Sequence, residues 1–275
     1  MYMPKILKKE GKNYKMEAIL YITIFIMGAL FGSFSTLAVY RIPIGEDIVT
    51  KHSFCPNCKA ELQFKDLIPI LSYIFLGGKC AYCGEKIRAR YLVIEVLSGI
   101  VFVLFAMSIK FTVNEINIDK IIYLCFYLLY LVSLFIIAGI DREKVNIQRA
   151  LLLFGFVVAS SFMTYVCVHN IEAIYTYIIY LLVTVVLLVG DTIYTKRKMT
   201  QNYTIGCLML VLYMMVFSGA VVSYMTVLFA FLSIVLKMTY IMTTKRAKKN
   251  TNLPVGFYLC VGNILLLLIN NFIIK

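Results

Sequence analysis

The stretch Ile121–Lys144, IIYLCFYLLYLVSLFIIAGIDREK, runs for twenty residues without a charge and then ends on four charged residues in succession. About twenty residues is what an α-helix needs to cross the hydrocarbon of a bilayer. Lipid offers nothing to pair with free backbone groups, so the stretch reads as a spanning helix. Comparable apolar runs lie at about 17–39, 92–109, 119–140, 150–168, 172–194, 203–219, 221–241 and 254–273. The 275 residues are 61% hydrophobic and only 15% charged, with a mean hydropathy of +0.87. A soluble domain of this length cannot hide that much apolar surface. The expected fold is an all-α polytopic membrane protein of about eight transmembrane helices. The first run is too long for a cleaved signal, and no small-residue cleavage pattern follows it.

The charges give the expected sidedness. Eight Lys and Arg, Arg41 to Arg90, separate the first two spans. Arg142, Lys144 and Arg149 follow the third span, Lys196, Arg197 and Lys198 the fifth, and Lys245, Arg246, Lys248 and Lys249 the seventh. The alternate loops carry Lys110 and Lys120 in one case and no Lys or Arg in the other two. Basic loops stay in the cytoplasm, which places the first long loop there in a multi-pass protein of the cell membrane. The amino-terminal tail, with five lysines, points the other way; the four loops agree with one another and are followed. The net charge of +13 is therefore read as topology. No basic stripe is interleaved with exposed aromatics, so lipid is the expected partner and nucleic acid is not.

The first long loop holds "FCPNCKAEL", Phe54 to Leu62, and its echo "GKCAYCG", Gly78 to Gly84. Two Cys-x2-Cys pairs about twenty residues apart are the spacing of a structural zinc ribbon. Cys55, Cys58, Cys80 and Cys83 are the candidate ligands of one Zn2+. Four thiolates fill a tetrahedral site, leaving the metal a structural role. A loop of about 50 residues has too small a core to fold unaided, which makes such a staple useful. In a reducing compartment thiols point to metal rather than to disulfides. Four unrelated thiols are the plainer alternative, and His52 reads as solvated. The other cysteines, Cys125, Cys167, Cys207 and Cys260, lie singly in apolar runs and read as small packing residues.

These residues carry a resemblance. "GSFSTLAVYRIP" (Gly32 to Pro43) is followed by "CPNCKAELQFKDLIPILSYIFLGGKCAYCGEKIRARYLVIEVLSG" (Cys55 to Gly99). For about 70 residues this resembles the amino-terminal part of type IV prepilin peptidases, the bifunctional prepilin leader peptidase/N-methyltransferases. "LPVGFYLCVGNILLLL" (Leu253 to Leu268) resembles that family's closing helix. The resemblance implies a cytoplasmic zinc loop over the membrane site, associated with methyl transfer from S-adenosylmethionine, and ties Gly78 to methylation. The sequence itself has no glycine-rich nucleotide fingerprint, and Gly77-Gly78 reads equally as a turn into the second knuckle. Glu95, in the matching "RYLVIE", can orient loop groups or substrate, or simply pair with Arg90.

Two carboxylates sharing a proton can cut a peptide bond, one as base on a water and one as acid on the carbonyl. Acidic residues within spans are costly, so each is a candidate. Asp141, at the cytoplasmic end of the third span, resembles the family's first catalytic aspartate; a helix-end carboxylate paired with Arg142 or Lys144 is the plainer reading. The family's second aspartate falls, by counting from Asp141 and from Gly219, on "TIGCLML" (Thr204 to Leu210), where Cys207 stands instead and Met209 replaces a lysine. A thiol is mostly protonated at neutral pH and is no second carboxylate. Asp191, in "LLVGDTIYTKRK", is the other candidate partner; a helix-end carboxylate near Lys196 and Arg197 is the more ordinary reading. Glu172 lies on the opposite side of the membrane and is no candidate.

The expected layout is a tail at 1–16, a first transmembrane helix at 17–39, a cytoplasmic zinc-binding, methyltransferase-associated loop domain at 40–91 and a membrane-embedded aspartic peptidase-like domain at 92–275. The resemblance implies an aspartic endopeptidase of type IV pilus, secretion or competence systems. It would cut the leader of a prepilin or pseudopilin at the junction with its apolar helix and N-methylate the new terminus. The alternative is a peptidase-inactive paralogue that keeps methyl transfer or binds pilins during assembly. A membrane-anchored zinc-ribbon nucleic-acid binder is a third reading, which steep salt dependence would reveal.

Overall fold

A computed structural model describes residues 5–50, 52–170, 174–198, 202–243 and 253–274. The side chains of residues 5–13, Glu172 and the basic run 245–249 lie outside the described residues. Eight α-helices follow one another: α1 Lys5–Arg41, α2 Leu71–Phe75, α3 Arg90–Ser108, α4 Ile118–Lys144, α5 Arg149–His169, α6 Ile174–Lys198, α7 Tyr203–Thr243 and α8 Val255–Ile274. Extended pairing among the described residues is limited to isolated bridges, Phe54 with Glu61 and Lys79 with Lys86. All except the five-residue α2 are long and apolar enough to cross a membrane, which makes seven candidate spans where the runs suggested eight.

The difference lies in α7, whose 41 residues would extend about 60 Å, twice the hydrocarbon thickness. Gly219 interrupts it at φ 78°, ψ 166°, a conformation reserved almost wholly for glycine. The Tyr203 hydroxyl accepts a hydrogen bond from the Gly256 N–H at 3.2 Å, and the Lys237 ammonium lies 5.6 Å from the Tyr258 ring centroid. A straight helix would hold residues 203 and 237 about 50 Å apart, yet both meet the first turn of α8. The chain therefore folds back at Gly219, and α7 accounts for two crossings.

The chain divides into two compact units, residues 1–124 and 125–274. In the first, α1 lies against α3 at a distance only small residues permit. A Cβ on Gly28 would stand 2.7 Å from the Gly99 Cα, and one on Gly32 would stand 2.1 Å from Ser98 Oγ and 2.9 Å from the Glu95 Cα. Ser98 Oγ–H donates to the Gly28 carbonyl at 2.7 Å. Small residues spaced by four suit helix contacts in lipid, where close packing replaces the hydrophobic drive. At the end of α1, buried Arg41 donates to the carbonyls of Asp47 and His52, each at 3.0 Å, and fastens the start of the loop.

The second unit is built on an aromatic cluster. Tyr130 and Phe217 stack with centroids 4.4 Å apart, and Phe162 stacks on Phe217 at 4.8 Å. The Tyr127 hydroxyl donates to the Phe217 carbonyl, close to the break at Gly219. Tyr130 O–H donates to Asn263 Oδ1 at 2.6 Å, and the Asn263 amide donates to Ser218 Oγ at 3.0 Å and Thr226 Oγ1 at 3.2 Å. Each polar group buried at the hairpin thus has a partner, as a lipid-immersed core requires.

The α1–α3 contact makes a stability prediction. Gly32→Val should cost about 1–3 kcal/mol through overpacking, or prevent folding, lowering the thermal midpoint in detergent. Gly190→Ala, in a helix with open space around it, should leave the midpoint unchanged or slightly higher.

Candidate functional site

The cysteine loop folds as two knuckles of the same design. In each, the first cysteine donates its N–H five residues ahead in a short bridge, Cys55 N to Ala60 O at 3.0 Å and Cys80 N to Glu85 O at 2.8 Å. In each, the residue after the second cysteine returns its N–H to the first cysteine's carbonyl, Lys59 to Cys55 at 2.9 Å and Gly84 to Cys80 at 3.0 Å. That residue must be left-handed, with φ 61° at Lys59 and φ 70° at Gly84. The glycine adopts this freely; the lysine pays a steric penalty of about 1–2 kcal/mol.

The four sulfurs lie within 4.8 Å of one another, with Cys55 and Cys83 3.9 Å apart. A tetrahedral zinc with bonds of about 2.3 Å spaces its sulfurs about 3.8 Å apart, so the donor set fits the metal. The backbone N–H of Cys58, opposed by desolvation and helped by that of Asn57, holds the Cys55 thiol down at about 7. The Ala60 N–H works in the same direction at Cys58, but desolvation and the neighbouring sulfurs push that thiol up to about 11. Metal-free, the cluster cannot ionise all its thiols together, and a divalent cation supplies the missing counter-charge. Cys55, Cys58, Cys80 and Cys83 would hold the ion as a closed structural site. His52 is exposed.

Gly78 and Glu95 shape the same loop. Gly78 sits at φ +67° after α2, and a Cβ there would meet the Tyr73 ring at 2.9 Å. Its N–H donates to the Tyr73 carbonyl at 2.8 Å, and its own carbonyl accepts from Ile87 N–H at 2.7 Å. Glu95 is buried on α3 and accepts the Ile70 N–H at 2.8 Å. Ile70 itself is left-handed, with φ 65°. The glutamate therefore orients the loop, one of the alternatives open in the sequence. The Gly78 backbone and Glu95 Oε2 are thus engaged in holding the loop's backbone.

In the second unit Asp141 is completely buried at the end of α4. Its Oδ2 accepts the Phe257 N–H at 2.8 Å and the Tyr203 O–H at 3.1 Å. Oδ1 is buried without a hydrogen-bond partner among the described residues. Gly256 is what lets α8 come so close, since a Cβ there would stand 3.1 Å from Oδ2. The neighbouring Arg142 guanidinium lies over the Phe257 ring at 5.4 Å. Cys207 follows one turn after Tyr203 on α7, the residue whose hydroxyl bonds Asp141. The structure thus places Cys207 on the α7 turn that follows the Asp141 contact.

Asp191 is engaged elsewhere. Its Oδ2 pairs with Arg149, Nη2 at 2.7 Å and Nε at 3.0 Å, and its Oδ1 accepts the Asn202 N–H at 3.4 Å. It is the one buried residue among the described side chains of α6, so the pair ties that lipid-exposed helix to α5. Sequence reading missed Arg149, 42 residues away, and Tyr203, for which no charge or motif gave a signal. The Pro254–Gly256 segment did signal its part through the closing-helix resemblance.

Residues 26–109 match the Bacterial Peptidase A24 N-terminal domain. A prepilin leader peptidase/N-methyltransferase of Klebsiella pneumoniae is 36% identical over 87 residues, which is 30% of this chain and 38% of that protein. One of Vibrio cholerae is 36% identical over 88 residues, 29% and 35% of the two chains, and one of Bacillus subtilis 38% over 91 residues, 33% and 36%. The chain thus spans little more than a third of the length of these curated relatives, and the family match lies within the first unit. No solved structure matches the chain significantly.

Metal analysis of the purified protein should return about one zinc per chain, lost when Cys55 and Cys58 become Ser. Because zinc displaces protons from thiols, a chelator should strip it faster in mildly acidic than in neutral buffer. Lys59→Gly should relieve the left-handed strain and slow that loss.

Proposed function

We infer, from the match of residues 26–109 to the Bacterial Peptidase A24 N-terminal domain and the likeness to prepilin leader peptidase/N-methyltransferases, a multi-pass membrane protein of the type IV prepilin peptidase family that processes prepilin or pseudopilin leaders. The leader–helix junction would enter at the Asp141 centre from the cytoplasmic face, where cleavage and then N-methylation of the new terminus follow. The observation that supports this most is the half-free carboxyl of Asp141, buried with Oδ1 unpartnered. A purely structural carboxyl at a helix end would have both oxygens satisfied or be solvated. In hydrolysis Asp141 would take a proton from the attacking water. A second acid must hydrogen-bond the scissile carbonyl and protonate the leaving amine. S-adenosylmethionine would serve as the methyl donor.

A second reading is favoured by the surroundings of that second acid. One turn after the Tyr203 contact to Asp141 stands Cys207, and Asp191 is held by Arg149. A thiol is a weak donor, so the chain can equally be a paralogue that binds and methylates prepilins without cutting them.

Prepilin cleavage in reconstituted membranes separates the two. If the wild type cuts, Asp141→Asn should reduce the rate by about 10²-fold or more. If only Cys207→Asp cuts, the second reading holds. Loss of activity in Asp191→Asn with unchanged thermal stability would make Asp191 the second carboxylate. A wild type that neither cuts, methylates nor binds prepilin would overturn both readings.

A further inference from the structure

The loop between α1 and α3 displays a run of apolar side chains that its own fold does not cover. Phe64, Leu67, Ile68, Leu71, Ile74 and Phe75 are all exposed, Phe64 by 85% and Phe75 by 82%. They line the segment that runs from the 3-10 turn Phe64–Asp66 through the turn at Pro69-Ile70 into α2. Tyr73 of α2, by contrast, faces the knuckles: its O–H donates to the Ile87 carbonyl at 3.4 Å and its ring covers Gly78. A face this apolar on a loop domain marks an interaction surface.

The height of this segment is fixed by one hydrogen bond. The Ile70 N–H donates to Glu95 Oε2 at 2.8 Å, and Glu95 is on α3, one of the spanning helices. It lies five residues after Arg90, or about 7 Å along the axis. Ile70 is thus held at the level of the first turns of a transmembrane helix. Interfacial amphipathic segments bury their apolar side about 5–10 Å into the boundary between headgroups and acyl chains. The lipid-facing stripe of α3, Val93, Leu97 and Ile100, is likewise exposed on the protein. Lys65, Lys79, Lys86 and Arg88 surround the segment in sequence, which suits anionic headgroups.

We propose that the Phe64–Phe75 segment is an interfacial membrane anchor, its apolar side dipped into the lipid beside α3 and its basic surround on anionic headgroups. The bilayer then acts as a second staple of the loop domain besides the cysteine cluster, with Glu95 setting the depth of insertion. This does not depend on whether the chain cuts, methylates or only binds prepilins.

The chain contains no tryptophan, so one introduced residue reports alone. Phe75→Trp and Ile74→Trp, made separately in the full chain, alter exposed positions and should both fold. In vesicles of phosphatidylcholine and phosphatidylglycerol, both should emit at blue-shifted wavelengths. Acyl-chain-brominated lipid should quench most of that emission, and aqueous iodide little of it. Adding Glu95→Gln, which weakens the tie to Ile70, should shift both variants toward iodide quenching. Water-like emission that iodide quenches and brominated lipid does not, in both variants, would overturn the proposal. So would lipid-independent shielding that appears only when a prepilin helix is added, which would make the face a protein-docking surface.

Discussion

The hydrogen bond from the Phe257 backbone to Asp141 joins the last turn of α4 to the first turn of α8, two elements 116 residues apart in the chain. The first N–H groups of a helix have no partner within it, and its amino-terminal end favours negative charge. Asp141 thus caps α8 from another helix, while Tyr203 at the start of α7 shares the same oxygen. Three helix ends converge on one carboxyl. That arrangement depends on Gly256 for close approach and on the reversal at Gly219, which returns α7 to the level of α8. The free oxygen of Asp141 is what remains after these structural bonds are made.

The first unit meets a different constraint. Two spanning helices with little else to hold them must approach closely, and Gly28, Gly32, Ser98 and Gly99 make that possible. The same surface places Glu95 beside Gly32, so the helix pair that anchors the loop domain also presents the carboxylate that orients it. A loop this small depends on fixed points: Arg41 at its start, the thiol cluster at its centre and Glu95 beneath Ile70. Gly78 fits the same logic, since Tyr73 fills the space a side chain would need.

Much of this was legible in the sequence because its signals are local. Apolar runs located the spanning segments, and the paired Cys-x2-Cys spacing located the sulfur cluster. The count of crossings was legible too, the sixth and seventh runs being the two arms of α7 that meet at Gly219. Partnerships across the bundle were not legible. Asp191 looked toward Lys196 and Arg197 in sequence but pairs with Arg149; Asp141 looked toward Arg142 but is held by a backbone N–H and a phenol. A backbone donor leaves no trace in residue identity, and a buried tyrosine in an apolar helix resembles any packing residue.

The most direct measurement of the central claim, that prepilins are handled at the Asp141 centre, is photo-crosslinking. A prepilin bearing a benzophenone at its leader–helix junction would be incubated with the protein in membranes and the adducts mapped by mass spectrometry. The account predicts adducts at the end of α4, at Tyr203–Cys207 and at the start of α8, reduced by competing unlabelled prepilin. Adducts confined to the lipid-facing side of α6, or equally abundant with an unrelated membrane helix, would contradict it.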